Sequence, residues 1–529
     1  MTLHLSCGPP RRGHLSRLVS LAALATLALA ACGSGSTSTP PALGPSGGPA
    51  SPAAGGSVKD FELTAHIGSI DLGAGHSVQG WTYNQTIPGP VLRVRQGDLV
   101  RVTFHNNLPQ PSTIHWHGVA VPNGEDGVAG VTQDATPVGA TVVYSFIATT
   151  AGTYWYHPHQ HSAAQEDNGL YGALVVDPAT PEQPAPAVDQ TLMLDEWAIG
   201  PQLSSPPAND TPDMAAYGVD TINGKTGTAI TSVQAAPGSL VRLRVINAGF
   251  LTHAVHVHGA PVRIVATDGH ELAGGQAVTA PLLIAAAERL DLEFTMPSGT
   301  WSVDLDDGTS ASRDVRVPLT SAGSGVPPTL PGADWHATDA PMALSSYVAA
   351  PLAAPMTGAP VSSTVHLGET MTSSSSTISG MAGMPGMDMG GSSASGSATG
   401  DGMGMGSMQF TVDGKTFPDT PTVTVNPGDL VTMTFVNDGV TEHPMHVHGH
   451  AFTVVSTNGK PWSAGVMKDT VLVPPQGTVI VRFLADNPGV WMVHCHELHH
   501  AEAGMDFLIA YHGAPRLTQL GGPTGSTPE

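Results

Sequence analysis

The chain has 529 residues and a formal net charge of −23, from 19 Lys and Arg against 42 Asp and Glu. Such an acidic balance argues against nucleic acid as a partner. Only 12% of residues are charged and aromatics are few, while Gly (63) and Pro (46) are abundant, which disfavours a helical protein and points to short punctuated strands.

At the start of the chain, Arg11, Arg12 and Arg17 precede an apolar run, Leu18–Ala31, that ends at Cys32. This is the layout of a signal peptide covering residues 1–31. Leu29-Ala30-Ala31-Cys32 resembles a bacterial lipobox, in which the cysteine is lipidated. The Arg11-Arg12 pair also permits twin-arginine export. An exported protein is therefore expected, periplasmic or on the cell surface, with a membrane anchor at Cys32. An ordinary Sec signal cleaved nearby is the simpler alternative. No second apolar run is long enough to span a bilayer. Residues 32–57 read as a Gly/Pro/Ser linker.

Next come Val/Thr-rich alternating runs bounded by Gly, Pro and Asn, such as DLVRVTFHNN, the pattern of an all-β sandwich or barrel. They belong to a threefold repeat. Turn glycines Gly97, Gly238 and Gly428 are each followed 18 residues later by a histidine: His115, His256 and His446. A second histidine follows at His117, His258 and His448. Each copy then closes alike, with His157, Asp304 and His494, and two residues on His159, Asp306 and His496. Three homologous β-domains are expected at 58–180, 186–320 and 409–513. Residues 321–408 read as a low-complexity connection and 514–529 as a disordered tail.

The first and third copies keep two His-x-His pairs each. The middle copy has Asp304-Leu305-Asp306 at the second position, so it looks structural, with His253, His256 and His258 packed or at the surface. On a strand, residues i and i+2 share a face, so each pair aims two imidazoles one way. If domains one and three meet, His115, His117, His157, His159, His446, His448, His494 and His496 converge. Neutral imidazole suits copper, zinc, iron and nickel.

Cys495 lies between His494 and His496 and points to the opposite face. With Cys7 expected to leave with the signal, acylation of Cys32 would leave one thiol and no disulfide framework. A metal is the obvious holder. His443, His500 and Met505 complete the donor set of a blue-copper electron-transfer site: one thiolate, two imidazoles and a weak axial thioether. The equivalent positions are Ser112, Pro158, Ala163 and Asn168 in the first copy, and His253, Leu305, Ser310 and Val315 in the second. Only the third copy has all four.

The motifs HWHG, HPHQH, HPMHVHGH and HCHELHHAEAGM resemble those of the three-domain multicopper oxidases, the family of laccases and bacterial copper-resistance oxidases. The resemblance covers nearly the whole mature chain. It implies three cupredoxin-like Greek-key domains and four coppers. A type 1 copper would sit on His443, Cys495, His500 and Met505, and a type 2 copper on His115 and His446. A type 3 pair would take His117, His157, His159, His448, His494 and His496. It also implies an oxidase that takes electrons singly from Cu(I), phenols or aromatic amines and reduces O2 to water. Water formation needs an acid nearby. A laccase-like acid falls in the GEDGVAG loop, which makes Asp126 the candidate and Glu502 the alternative. Many bacterial relatives place Glu where this chain has Ala501.

Within the connection, Met381, Met384, Met387, Met389, Met403, Met405 and Met408 lie in a Gly/Ser background too flexible for a core. Thioethers select Cu(I), so this stretch is a candidate docking segment for that ion. Two other readings compete: a copper-sequestering lipoprotein, and a copper nitrite reductase, which lacks His-x-His at all four positions. The complete ligand set on one chain suggests a monomer.

Overall fold

The computed structural model describes residues 51–198, 217–272, 274–306, 315–321, 341–347, 356–371, 408–462 and 466–529. The signal segment, Cys32, most of the following linker and Met381–Met405 lie outside the described residues. The regular secondary structure of the remainder is nearly all strand. The described α-helices are short, α1 (Ser162–Asp167) and α2 (Leu498–Glu502), and none is long and apolar enough to cross a membrane.

Six sheets fall into three successive pairs. The alternating sequence DLVTMTFVN (Asp429–Asn437) shows why. Its odd positions are buried and its even positions partly wet, as a half-buried strand requires. Each pair repeats one connectivity. An opening strand runs parallel to a later one: Val58–Gly73 with Leu99–Asn106, Val188–Ala198 with Leu240–Asn247, and Ala359–Met371 with Asp429–Asn437. In the second sheet of each pair, the two landmark strands lie antiparallel in one register. His115 faces His157, His256 faces Asp304, and His446 faces His494. The repeat in the sequence is thus a repeat in space.

Two expectations are corrected. The strand Ala359–Met371 opens the third sheet pair although it lies in the segment expected to be a connection. Its Ser/Thr-rich sequence has the composition of a linker, but it alternates well enough to pair along an existing edge. The segment 514–529, expected to be a disordered tail, is instead laid onto the body of the protein. Ser526 Oγ accepts from Ala135 N at 3.0 Å, and Thr527 N donates to Gln160 Oε1 at 2.9 Å.

Each sheet pair encloses its own apolar core. Smaller apolar groups join the modules. Trp155, Tyr171, Met193 and Ile246 link the first to the second, and Val128, Val131, Val490 and Met492 link the first to the third. Trp116, Trp155 and Trp491 are fully buried beside the histidine strands. Truncating any one would cost about 3–5 kcal/mol, so the histidine strands stand on rigid supports.

Candidate metal centre

The strands His115–His117 and Gly152–His157 of the first module and His443–Val447 and Val490–Cys495 of the third supply or lead into all four His-x-His pairs. The eight imidazoles meet between the modules, none more than 1% exposed. His117 stacks on His446 with ring centroids 3.8 Å apart, and His115 lies 4.0 Å from His448.

One ring nitrogen on most of these histidines is tied to an acceptor. His115 Nδ1 faces Asp126 O at 2.7 Å, His446 Nδ1 faces Asp469 O at 2.9 Å, and His494 Nδ1 faces Cys495 O at 3.0 Å. The opposite nitrogens point inward. His115 Nε2, His117 Nδ1, His157 Nε2 and His446 Nε2 are buried with no hydrogen-bond partner, as are both nitrogens of His496. His448 Nε2, His159 Nε2 and His494 Nε2 crowd together, the last 3.0 Å from the first and 3.4 Å from the second. Burial, reinforced by the neighbouring imidazoles, pushes His157, His159, His448, His494 and His496 well below the usual histidine range. Neutral rings with one nitrogen held and the other orphaned are in the ligand state. Orphaned buried nitrogens are costly unless a cation sits among them.

Four carboxylates surround this cluster. Asp126 is buried, with Oδ1 3.3 Å from His115 Nδ1 and Oδ2 3.1 Å from His448 Nδ1. Its loop passes so close to the first histidine strand that a Cβ on Gly127 would lie 1.9 Å from Ile114 O, and Gly127 has φ +81°. Glu502 is exposed on α2, so Asp126 is the acid of the two that enters the buried cluster. Sequence reasoning missed the other three. Glu166 Oε2 lies 2.9 Å from His157 Nδ1, Asp469 Oδ1 3.2 Å from His117 Nε2, and Glu529 Oε1 3.5 Å from His159 Nδ1.

On the other face of the same strand, Cys495 Sγ lies 3.7 Å from His443 Nδ1 and 3.6 Å from His500 Nδ1, with 3.1 Å between the two nitrogens. A shared ion bound at roughly 2.0–2.3 Å from each donor fits that triangle. Met505 is buried beside it, its carbonyl accepting from Cys495 N and its amide donating to His500 O. Phe410 stacks on the His500 ring at 3.8 Å. Burial, helped by Glu497, pushes the Cys495 thiol well above its usual range, so it becomes a thiolate only with a cation beside it. Glu497 caps α2 and takes His500 Nε2 at 2.8 Å and His499 Nδ1 at 2.6 Å.

The middle module has no such assembly among its described residues. His253 is buried against Glu196 at 2.5 Å, and His258 lies 3.1 Å from Asp304.

Residues 66–181 and 395–511 both match the family described as multicopper oxidase. The multicopper oxidase MmcO of Mycobacterium tuberculosis is 31% identical over 484 residues, covering 85% of this chain and 86% of that protein. The chain belongs to the multicopper oxidase family. A copper resistance protein A homolog of Pseudomonas syringae pv. tomato is 26% identical over 84% of this chain and 91% of its own length. The crystal structure of a multicopper oxidase from Pseudomonas thermotolerans superposes with a TM-score of 0.66 at 26% identity, covering 86% of this chain and all of the other. This multicopper oxidase is accordingly a copper-dependent oxidoreductase with cupredoxin-like architecture. The nitrite reductase and sequestering readings are not favoured.

Proposed function

We propose that His443, Cys495, His500 and Met505 hold a type 1 copper, His115 and His446 a type 2 copper, and the other six cluster histidines a type 3 pair. The observation that carries this assignment is the strand ending His494-Cys495. Its thiol faces one donor triangle and its histidines the other cluster, so the two centres are joined by a few covalent bonds. Copper bound there supplies single-electron acceptance at the Cys495 site and four-electron reduction of O2 to two waters at the histidine cluster. Asp126 orients His115 and His448 and is the acid positioned to pass protons into the cluster. A complete set on one chain makes the monomer the working unit.

The reductant we favour is Cu(I): four Cu(I), one O2 and four protons give four Cu(II) and two waters. In support, the Met-rich stretch 381–408 runs directly into the strand Met408–Val412, whose Phe410 lies on the His500 ring. Thioethers in that stretch would bring a soft cation to the type 1 edge. Export, with lipid on Cys32, follows from the sequence of residues 1–32.

Oxygen uptake by copper-loaded protein tests this, with Cu(I) and then a phenol as reductant and Cys495→Ser as blank. Uptake faster with Cu(I), and slowed by deleting residues 381–405, is expected. Faster uptake with the phenol, unaffected by the deletion, overturns the Cu(I) reading. No uptake above the blank overturns the oxidase assignment of these ligands.

A further inference from the structure

Arg289 stands at the head of the strand Arg289–Thr295 in the middle module and is fully buried. It bonds to all three modules. Its Nε donates to Thr153 O of the first at 3.2 Å, and its Nη1 to Ala287 O of its own at 3.1 Å. Nη1 and Nη2 grip Asp469 of the third, at 2.7 Å to Oδ1 and 2.5 Å to Oδ2.

Asp469 in turn touches two ligand candidates. Its Oδ1 lies 3.2 Å from His117 Nε2 and 3.5 Å from His446 Nδ1, and its carbonyl takes His446 Nδ1 at 2.9 Å. Those contacts leave His117 Nδ1 and His446 Nε2 as the orphaned nitrogens. The first module gives way for the pair. A Cβ on Gly118, directly after the HWH strand, would lie 2.3 Å from Arg289 Nη2 and 2.4 Å from Asp469 Oδ2.

We propose that Arg289 is a positioning residue of the histidine cluster: through Asp469 it fixes which nitrogen the type 2 ligand His446 and the type 3 ligand His117 turn to copper. The proposal rests on the type 2 and type 3 assignments above, and the type 2 signal reads its His446 half. The physical reason is electrostatic and geometric. A carboxylate buried this deeply with no cation paired to it is costly and is not held toward any one donor. A guanidinium neutralises it and holds both oxygens in one plane, leaving Oδ1 directed at the imidazoles. A hydrogen-bonded outer partner then fixes the ring and its tautomer. The middle module, which contributes no donor to the proposed copper sites among its described residues, thereby reaches the cluster with one side chain.

A neighbouring ion pair provides the control. Lys468 Nζ lies 2.9 Å from Asp268 and 3.2 Å from Glu288, and joins the same two modules without touching the Asp469 carboxylate. The experiment compares copper-loaded Arg289→Gln, Arg289→Lys and Lys468→Met with the unaltered chain, by the type 2 electron paramagnetic resonance signal, copper retained against a chelator, blue absorbance and thermal midpoint. Arg289→Gln is expected to change the type 2 signal and to lose that copper about 10- to 100-fold more readily, with the blue absorbance intact. Arg289→Lys restores part of the retention. Lys468→Met lowers the thermal midpoint and leaves the type 2 signal alone. An unchanged type 2 signal in Arg289→Gln overturns the proposal, as does the same change in Lys468→Met, which would make Arg289 a clamp only. If Arg289→Gln does not fold, the Arg289→Lys signal decides: a shift supports positioning and an unaltered spectrum overturns it. A type 2 signal missing from the unaltered chain would instead refute the copper assignment.

Discussion

Asp126 and Asp469 are counterparts across the histidine cluster. The first lies 3.3 Å from His115 and 3.1 Å from His448, the second 3.2 Å from His117 and 3.5 Å from His446. Each therefore takes one imidazole from the first module and one from the third. They differ in their surroundings, since Asp469 is gripped by Arg289 and Asp126 sits in a glycine-flanked loop. Asp126→Asn keeps the shape but removes a group that can accept and release a proton. Oxygen uptake should fall about 10- to 100-fold with the blue absorbance retained. Turnover equal to that of the parent would remove Asp126 from the proton path.

Glu497 feeds negative charge to the outer nitrogen of His500. An anionic acceptor there makes the imidazole a stronger donor and favours the oxidised metal. Glu497→Gln should raise the reduction potential of the blue centre in a redox titration. An unshifted potential would show that this contact does not reach the metal.

The segment 514–529 covers the cluster and delivers the Glu529 carboxylate to within 3.5 Å of His159 Nδ1 and 3.7 Å of His494 Nδ1. Its removal should open the cluster to solvent. Copper loss to a chelator should then be faster from the histidine cluster than from the Cys495 site. Equal rates with and without the segment would mean that it shields nothing.

Asp189 joins the first two modules, bonded to Arg244 at 2.6 Å and to Arg93 at 2.8 Å. Burial pushes its pKa up, but the two guanidinium groups outweigh that and hold it below the usual carboxylate range. A depressed folded-state pKa contributes stability above the unfolded value, lost as the pH falls through the folded one. Asp189→Asn should lower the thermal midpoint at neutral pH and make its acid decline shallower. Parallel declines in parent and variant would show that this ion pair is neutral in the balance.

The proposed ligands were legible because their spacing is local. A two-residue step on a strand dictates a face, and the same step recurs at matched positions of the repeat. Asp126 was legible only through its place in a loop that a known family uses. Arg289 and Asp469 were not, because 180 residues separate them and neither lies in a motif. Their pairing exists only once three modules are docked. The strand Ala359–Met371 and the segment 514–529 were misread for the opposite reason. Their compositions are those of linkers, and their order comes from the surfaces they lie on, which no local pattern encodes.

The alternation at His494-Cys495-His496 makes this strand a parity device. Inserting or deleting one residue before Cys495 would send the thiol among the imidazoles and a histidine into the thiolate's place, spoiling both centres at once. A two-residue insertion would keep the faces but carry the thiol about 7 Å along the strand, away from His443 and His500. Changes in chain length are therefore accommodated only in loops beyond the strand ends, and the link between the two proposed centres can change only as one unit.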